Sequence, residues 1–150
     1  MATALGACRS GEGITIDQAV SQGSKQLDAL HGTLTSGATA SVPWQATSGT
    51  TPGAECADDE ERWVGVGTVT TEARTDDGDG AVALVAGNLG RGGWQTGLPI
   101  GDLDDDQAAT VPAVLDGDNP AGLTLTVTVE RAAQAWHHVV TVTSACATKD

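Results

Sequence analysis

LTLTVTVERAAQAWHHVVTVTSAC, residues 123–146, decides what kind of fold this chain adopts. Leu123, Leu125, Val127 and Val129 alternate with Thr124, Thr126, Thr128 and Glu130. Successive side chains of a strand point to opposite faces, so this is a strand with one apolar face inward and one polar face outward. Clean alternation of this kind belongs to antiparallel sheets, because parallel strands are covered on both faces and read as continuous apolar runs. Trp136 to Cys146 repeats the β-branched pattern. The two segments are therefore expected to pair as a hairpin, although Ala132 to Ala135 carries weak turn residues.

Upstream of this ribbon, residues 101–122 are polar and contain Pro112 and Pro120, which predicts loop with a brief strand over 110–115. Ala81, Val82, Leu84, Val85 and Leu89 fall on one helical face, with Asp79 near the start, where negative charge is favourable. Gly90, Gly92 and Gly93 end that helix, and 94–100 runs back as a short strand. Within 62–74, Trp63, Gly65, Gly67, Val69 and Thr71 alternate with Val64, Val66, Thr68 and Thr70, a second clear strand. Gly65 and Gly67 lie on the Trp63 side and leave space over the sheet, which a packed helix is expected to fill in preference to a small ligand. Residues 35–57 shift to Ser, Thr, Gly and Pro, with a short strand over 41–47 around Trp44; Pro43 places it at an edge. Ile16, Ala19, Val20, Leu27, Leu30 and Leu34 recur at near-helical spacing beside the N-cap candidates Thr15 and Asp17. They predict an amphipathic helix over 17–31, weakened by Gly23 and stopped by Gly32. Helix, strand, strand, helix, then three or four strands is the order of an α+β domain. The expected form is a two-layer sandwich, two helices packed on one face of a mainly antiparallel sheet.

A chain of 150 residues supports one core, so 14–150 is read as a single domain behind a flexible N-terminal tether, 1–13. Aromatics are 3% and all are Trp, so the core must be Val, Leu, Ala and Ile gathered around Trp44, Trp63, Trp94 and Trp136. The formal net charge is -13, from 20 Asp and Glu against 7 Lys and Arg. Such a surface repels phosphate backbones and anionic lipid, which excludes nucleic acid as an expected partner. No apolar run approaches the roughly 20 residues that a membrane-crossing helix needs.

Cys56 and Cys146 each border an expected strand, and neither belongs to a short paired spacing of the kind that zinc or redox centres use. A structural disulfide between them is the expectation, with an oxidising, extracytoplasmic address. Cys8 is then the odd cysteine. Leu5, Gly6, Ala7 and Cys8, followed by a polar run to Gly13, resemble a bacterial lipobox, in which the Cys becomes the acylated first residue of a tethered lipoprotein. The signal segment that such a box closes, a charged start and about 7 to 15 apolar residues, does not fit within Met1 to Ala4. A Trp-led strand, a glycine turn before Trp, and Ser144, Ala145 and Cys146 at the end of a strand add to the likeness. Together they resemble small actinobacterial cell-envelope lipoproteins of no assigned activity. That resemblance implies lipidation at Cys8, membrane contact only through the lipid, and a cell-surface location.

Few constellations point to chemistry. Asp76, Asp77 and Asp79, with Gly78 and Gly80, form a tight acidic loop of the type Ca²⁺ can use, and Asp102, Asp104, Asp105 and Asp106 form another. Neither has the EF-hand spacing, so both are read as solvated loops and no metal or other cofactor is expected. His137 and His138 are adjacent on a strand and must face opposite ways; only one can join His31. No G-x-S-x-G elbow or phosphate loop is present, and no catalytic residue is assigned. The expectation is a noncatalytic ectodomain that binds an envelope protein or a small ligand. A pilin-like assembly subunit, with 17–31 continuing an apolar helix, and a secreted hydrolase are the alternatives.

Overall fold

The computed structural model describes residues 14–35, 44–72, 78–103, 107–115, 119–132 and 135–149. Helices α1 (Ile16–Leu34) and α2 (Gly78–Arg91) accompany strands β1 (Gln45–Thr51), β2 (Glu60–Glu72), β3 (Trp94–Thr96), β4 (Ala109–Leu115), β5 (Thr124–Ala132), β6 (Ala135–Thr143) and β7 (Ala147–Thr148). The sheet runs β1-β2-β6-β5-β4-β3, with β7 on the start of β2, and all these strands pair antiparallel. The molecule is the α+β sandwich that the alternation predicts.

The β5–β6 ribbon forms with Leu125 opposite Val142, Val127 opposite Val140 and Val129 opposite His138, all buried. Their row continues into Val111 and Ala113 of β4 and into Gly65, Gly67 and Val69 of β2. Onto this face α1 lowers Ala19, Gly23, Leu27, Leu30 and Leu34, and α2 lowers Ala81, Val85 and Leu89. Leu84, placed on the buried face of α2 by its spacing, is instead 51% exposed, and Asn88 is buried in the last turn. The apolar stripe is narrower than the pattern suggested.

Local sequence explains the element ends. Thr15 caps α1 with a complete capping box: its hydroxyl accepts from the Gln18 N–H at 3.2 Å, and the Gln18 side chain accepts from the Thr15 N–H at 2.9 Å. The helix runs past the expected stop at Gly32 because Leu34 is buried and holds the last turn on the core. At the end of α2, Gly93 adopts a φ of 93°, a left-handed turn that only glycine enters without strain, and the chain reverses into Trp94.

Three strands differ from expectation. The strand expected over 94–100 is β3, only Trp94–Thr96, because the ladder with β4 is interrupted beyond Gly97. The strand expected over 41–47 is β1, starting at Gln45 and reaching Thr51, since Thr-rich backbone pairs well despite its turn-like composition. It does lie at an edge. The last strand does not run unbroken to Cys146. Thr143 faces Val64 and Ala147 faces Glu61, so three residues, 144–146, oppose two, 62 and 63. This bulge is stitched by Ser144, whose N–H donates to the Trp63 carbonyl at 2.9 Å while its hydroxyl accepts from the Trp63 N–H at 2.9 Å. Cys146 lies in the bulge and is bonded to Cys56 at an S–S distance of 2.05 Å, the pair that the spacing suggested.

Candidate functional site on the uncovered sheet face

The helix-facing side of the sheet is full. A Cβ on Gly65 would fall 2.8 Å from Leu27 Cδ2 and against the Trp63 ring, and one on Gly67 would meet the Trp44 indole. The space left by the two glycines thus seats indoles, with α1 contributing Leu27 at one and His31 at the other. His31 stacks on Trp44 with ring centroids 5.4 Å apart. Over these two glycines the described side chains leave no room for a ligand. His138, on the same side, is 5% exposed and packed between Val69 and Val129 in the register.

Among the described residues no helix covers the opposite face. Its cross-strand rows are Thr68, Val139, Thr128 and Thr110; Val66, Thr141, Thr126 and Pro112; and Val64, Thr143, Thr124 and Val114. These side chains are half-buried on β2 and β6 and more open on β4 and β5. Hydroxyls partly satisfy one another, as in Thr110 Oγ1 to Thr128 Oγ1 at 3.2 Å. At one end lies a row of Thr70, His137 and Glu130, with Thr70 Oγ1 2.9 Å from His137 Nδ1. Arg62 lies at the other end. Between those ends the three rows carry no charged side chain, on a chain of net charge -13.

Two shallow clefts open on this face and share Thr124. One, of about 390 Å³, is lined by Arg62, Thr143, Gly122 and the Cys146 end of the bulge. The other, of about 450 Å³, is lined by Thr126, Pro112, Val114 and Gln95. The Arg62 guanidinium spans the first: Nη1 is 3.2 Å from Glu55 Oε1, and Nη2 donates toward Cys146 Sγ at 3.7 Å. Nε is buried without a hydrogen-bond partner. Arg62 was legible only as the single base closing an acidic run, 58–61, beside Cys56; the bulge that brings Cys146 beneath it has no sequence signature.

The residues singled out from the sequence are dispersed. His31, His137 and His138 serve three separate contacts. Asp79 is in the first turn of α2, while Asp76, Asp77, Asp104, Asp105, Asp106 and Cys8 lie outside the described residues, as does the tether 1–13. Asp102 is described and lies near Leu103 and Pro99 along a groove. Among the described residues no three His, Cys, Asp or Glu side chains gather where they could hold a metal ion, and no helix is long and apolar enough to cross a membrane. No family model matches the chain, and neither a curated protein nor a solved structure matches it.

Proposed function

We propose that this chain is the noncatalytic, extracytoplasmic ectodomain of a cell-envelope lipoprotein, tethered through Cys8, and that it binds a protein partner of the envelope across the uncovered sheet face. The observation that carries this reading is the uncharged Thr and Val surface on an otherwise strongly acidic molecule. Interface centres are depleted of charge, and a bare contiguous patch of this kind marks a contact surface. All four tryptophans pack on the other side of the sheet, so the face offers no indole for a sugar to stack on, and its imidazole, His137, is held by Thr70 at one end; this favours a protein over a small saccharide. The disulfide supports an oxidising compartment, where such bonds persist.

The alternatives fare less well. The capping box ends α1 at Thr15, whereas a pilin-like subunit continues that helix upstream. The row Thr70, His137 and Glu130 imitates a nucleophile, a base and an acid, but interior strands spend their backbone N–H groups on the ladder and leave none to stabilise an oxyanion. Ser144 is committed at both ends, accepting from Trp63 and donating to the Ala145 carbonyl at 2.8 Å.

The test is an NMR titration of the isotope-labelled protein with fractionated envelope proteins. Shifts centred on Val66, Thr126, Thr128, Val139 and Thr141, lost in Thr126→Glu with the fold intact, are expected. Shifts confined to the helix layer, or turnover of an ester or glycoside that one substitution at Thr70 or His137 abolishes, would overturn the reading.

A further inference from the structure

The two edges of the sheet are finished differently. Along β3, Gly97 donates to the Pro112 carbonyl at 2.8 Å, and Ile100 and Thr110 exchange bonds of 2.8 and 2.7 Å. Leu98 and Pro99 therefore stand opposite the single residue Val111, and a bulge containing a proline blunts that edge. The β1 edge has no such device. Its register with β2 is unbroken from Gln45 opposite Thr68 to Thr51 opposite Arg62, it contains no charge and no proline, and all seven residues are exposed. Beyond it no strand follows among the described residues, so alternate N–H and C=O groups point outward.

Although it buries none of its own side chains, β1 is fixed at both ends. Trp44 precedes it, seated over Gly67 and stacked on His31; Cys56 follows it, bonded to Cys146. An extended strand held in place without contributing to the core is already organised for pairing, and its ordering cost is not charged to association. Charge selects the partner. Residues 44–54 contain no Asp, Glu, Lys or Arg, on a chain of net charge -13, so this is a strip where two copies can approach without setting acid against acid.

We propose that β1 pairs antiparallel with β1 of a second copy, joining two sheets into one continuous sheet about a two-fold axis at Ser48. This register puts Gln45 opposite the partner's Thr51, Thr47 opposite the partner's Gly49 and Ser48 opposite the partner's Ser48. The acidic turns that follow β1, with Glu55, Asp58 and Asp59, then lie at opposite ends of the seam, roughly 20 Å apart at the rise of an extended chain. That exceeds the Debye length of about 8 Å at physiological salt. A parallel pairing would put the two turns side by side, where they repel.

Sedimentation equilibrium of the Cys8→Ser protein tests this, with single cysteines introduced into the same background. A monomer–dimer equilibrium is expected, tightening as salt is raised because the surrounding acids are screened. Ser48→Lys sets two ammonium groups directly opposite one another and is expected to weaken dimerisation at least tenfold, with unchanged circular dichroism. Ser48→Cys is expected to give an intermolecular disulfide on oxidation, and Gln95→Cys on β3 is not. The proposal is overturned by a protein that stays monomeric to about 1 mM, a weak limit on the affinity scale. It is equally overturned by a dimer that ignores Ser48→Lys and crosslinks elsewhere, or by a monomer whose β1 edge takes up a peptide of sequence 44–52 but never pairs with itself. None of these outcomes bears on the open face, which points a quarter turn away from the edge.

Discussion

His138 is the residue whose chemistry most conflicts with its surroundings. Its imidazole is buried under the helices, and Nδ1 has no hydrogen-bond partner. Desolvation lowers its pKa below the ordinary value; a backbone hydrogen bond at Val69 opposes this, and repulsion from His137 adds to it. The group is a base held neutral in the fold. Above the unfolded value, about 6.5, neither state binds the proton and the titration of His138 adds no pH dependence. As pH falls through that value the unfolded chain takes up a proton that the folded chain refuses, so stability declines until the lowered folded pKa is reached. One proton limits this slope to about 1.4 kcal/mol per pH unit. Urea midpoints between pH 7.5 and 5 should fall for the natural chain and for His137→Gln, and should flatten for His138→Leu. A slope that survives His138→Leu would place the titration elsewhere. The opposite placement of the two histidines follows from strand geometry, and His138 is the buried one because it shares its side of β6 with Trp136, Val140 and Val142, while His137 shares its side with Thr141 and Thr143.

Packing between α1 and β2 turns on glycines that look alike in the sequence and behave differently. A Cβ on Gly23 would lie 2.8 Å from Trp63 Cδ2, with other ring atoms closer still, whereas one on Gly32 meets nothing within 4 Å. In an open helix, alanine in place of glycine stabilises by about 0.5 to 1 kcal/mol. At Gly23 that gain is outweighed, because forcing a methyl into a packed core costs about 1 to 3 kcal/mol and Trp63 is 1% exposed with no room to retreat. Gly32→Ala should therefore raise the thermal midpoint and Gly23→Ala should lower it; equal shifts of one sign would refute the close approach. The helices, the β5–β6 ribbon and the long strand β2 were legible because the period of their apolar residues is set by the face they bury. What was not legible is what depends on another element. Examples are the role of Gly23 as a seat for an indole, the shift of β1 to Gln45–Thr51, and the bulge between β6 and β7. Within the candidate site, each Thr of β5 was readable as outward-facing, but the uncharged patch emerges only when β2, β6, β5 and β4 are placed in register.

At the scale of the whole molecule, the disulfide is a staple with a calculable reach. Cys56 leads into β2 and Cys146 lies in the bulge before β7, 90 residues apart, so the closed loop contains α2 and five of the seven strands, β2 to β6. In the native state the bridge joins segments that β2, β6 and β7 already hold together, so it adds few contacts of its own. Its effect falls on the unfolded chain, where closing a loop of this length removes about 4 to 5 kcal/mol of conformational entropy. Set against a typical total of about 5 to 15 kcal/mol, this is a large share for a core without Phe or Tyr. The double substitution Cys56→Ala with Cys146→Ala should thus leave the sheet intact at low denaturant, by amide exchange in β5 and β6, while lowering the unfolding free energy by about 4 kcal/mol. The amides of β1 should lose more protection than those of β5, because the turn between β1 and β2 then keeps only non-covalent ties, the exposed Glu55–Arg62 ion pair and the Lys149 N–H to Asp59 carbonyl bond among them. A loss below about 1 kcal/mol would mean that the ladder already restrains the unfolded chain as tightly as the bond does, and an equal loss of protection in β1 and β5 would deny that the bridge positions the edge strand.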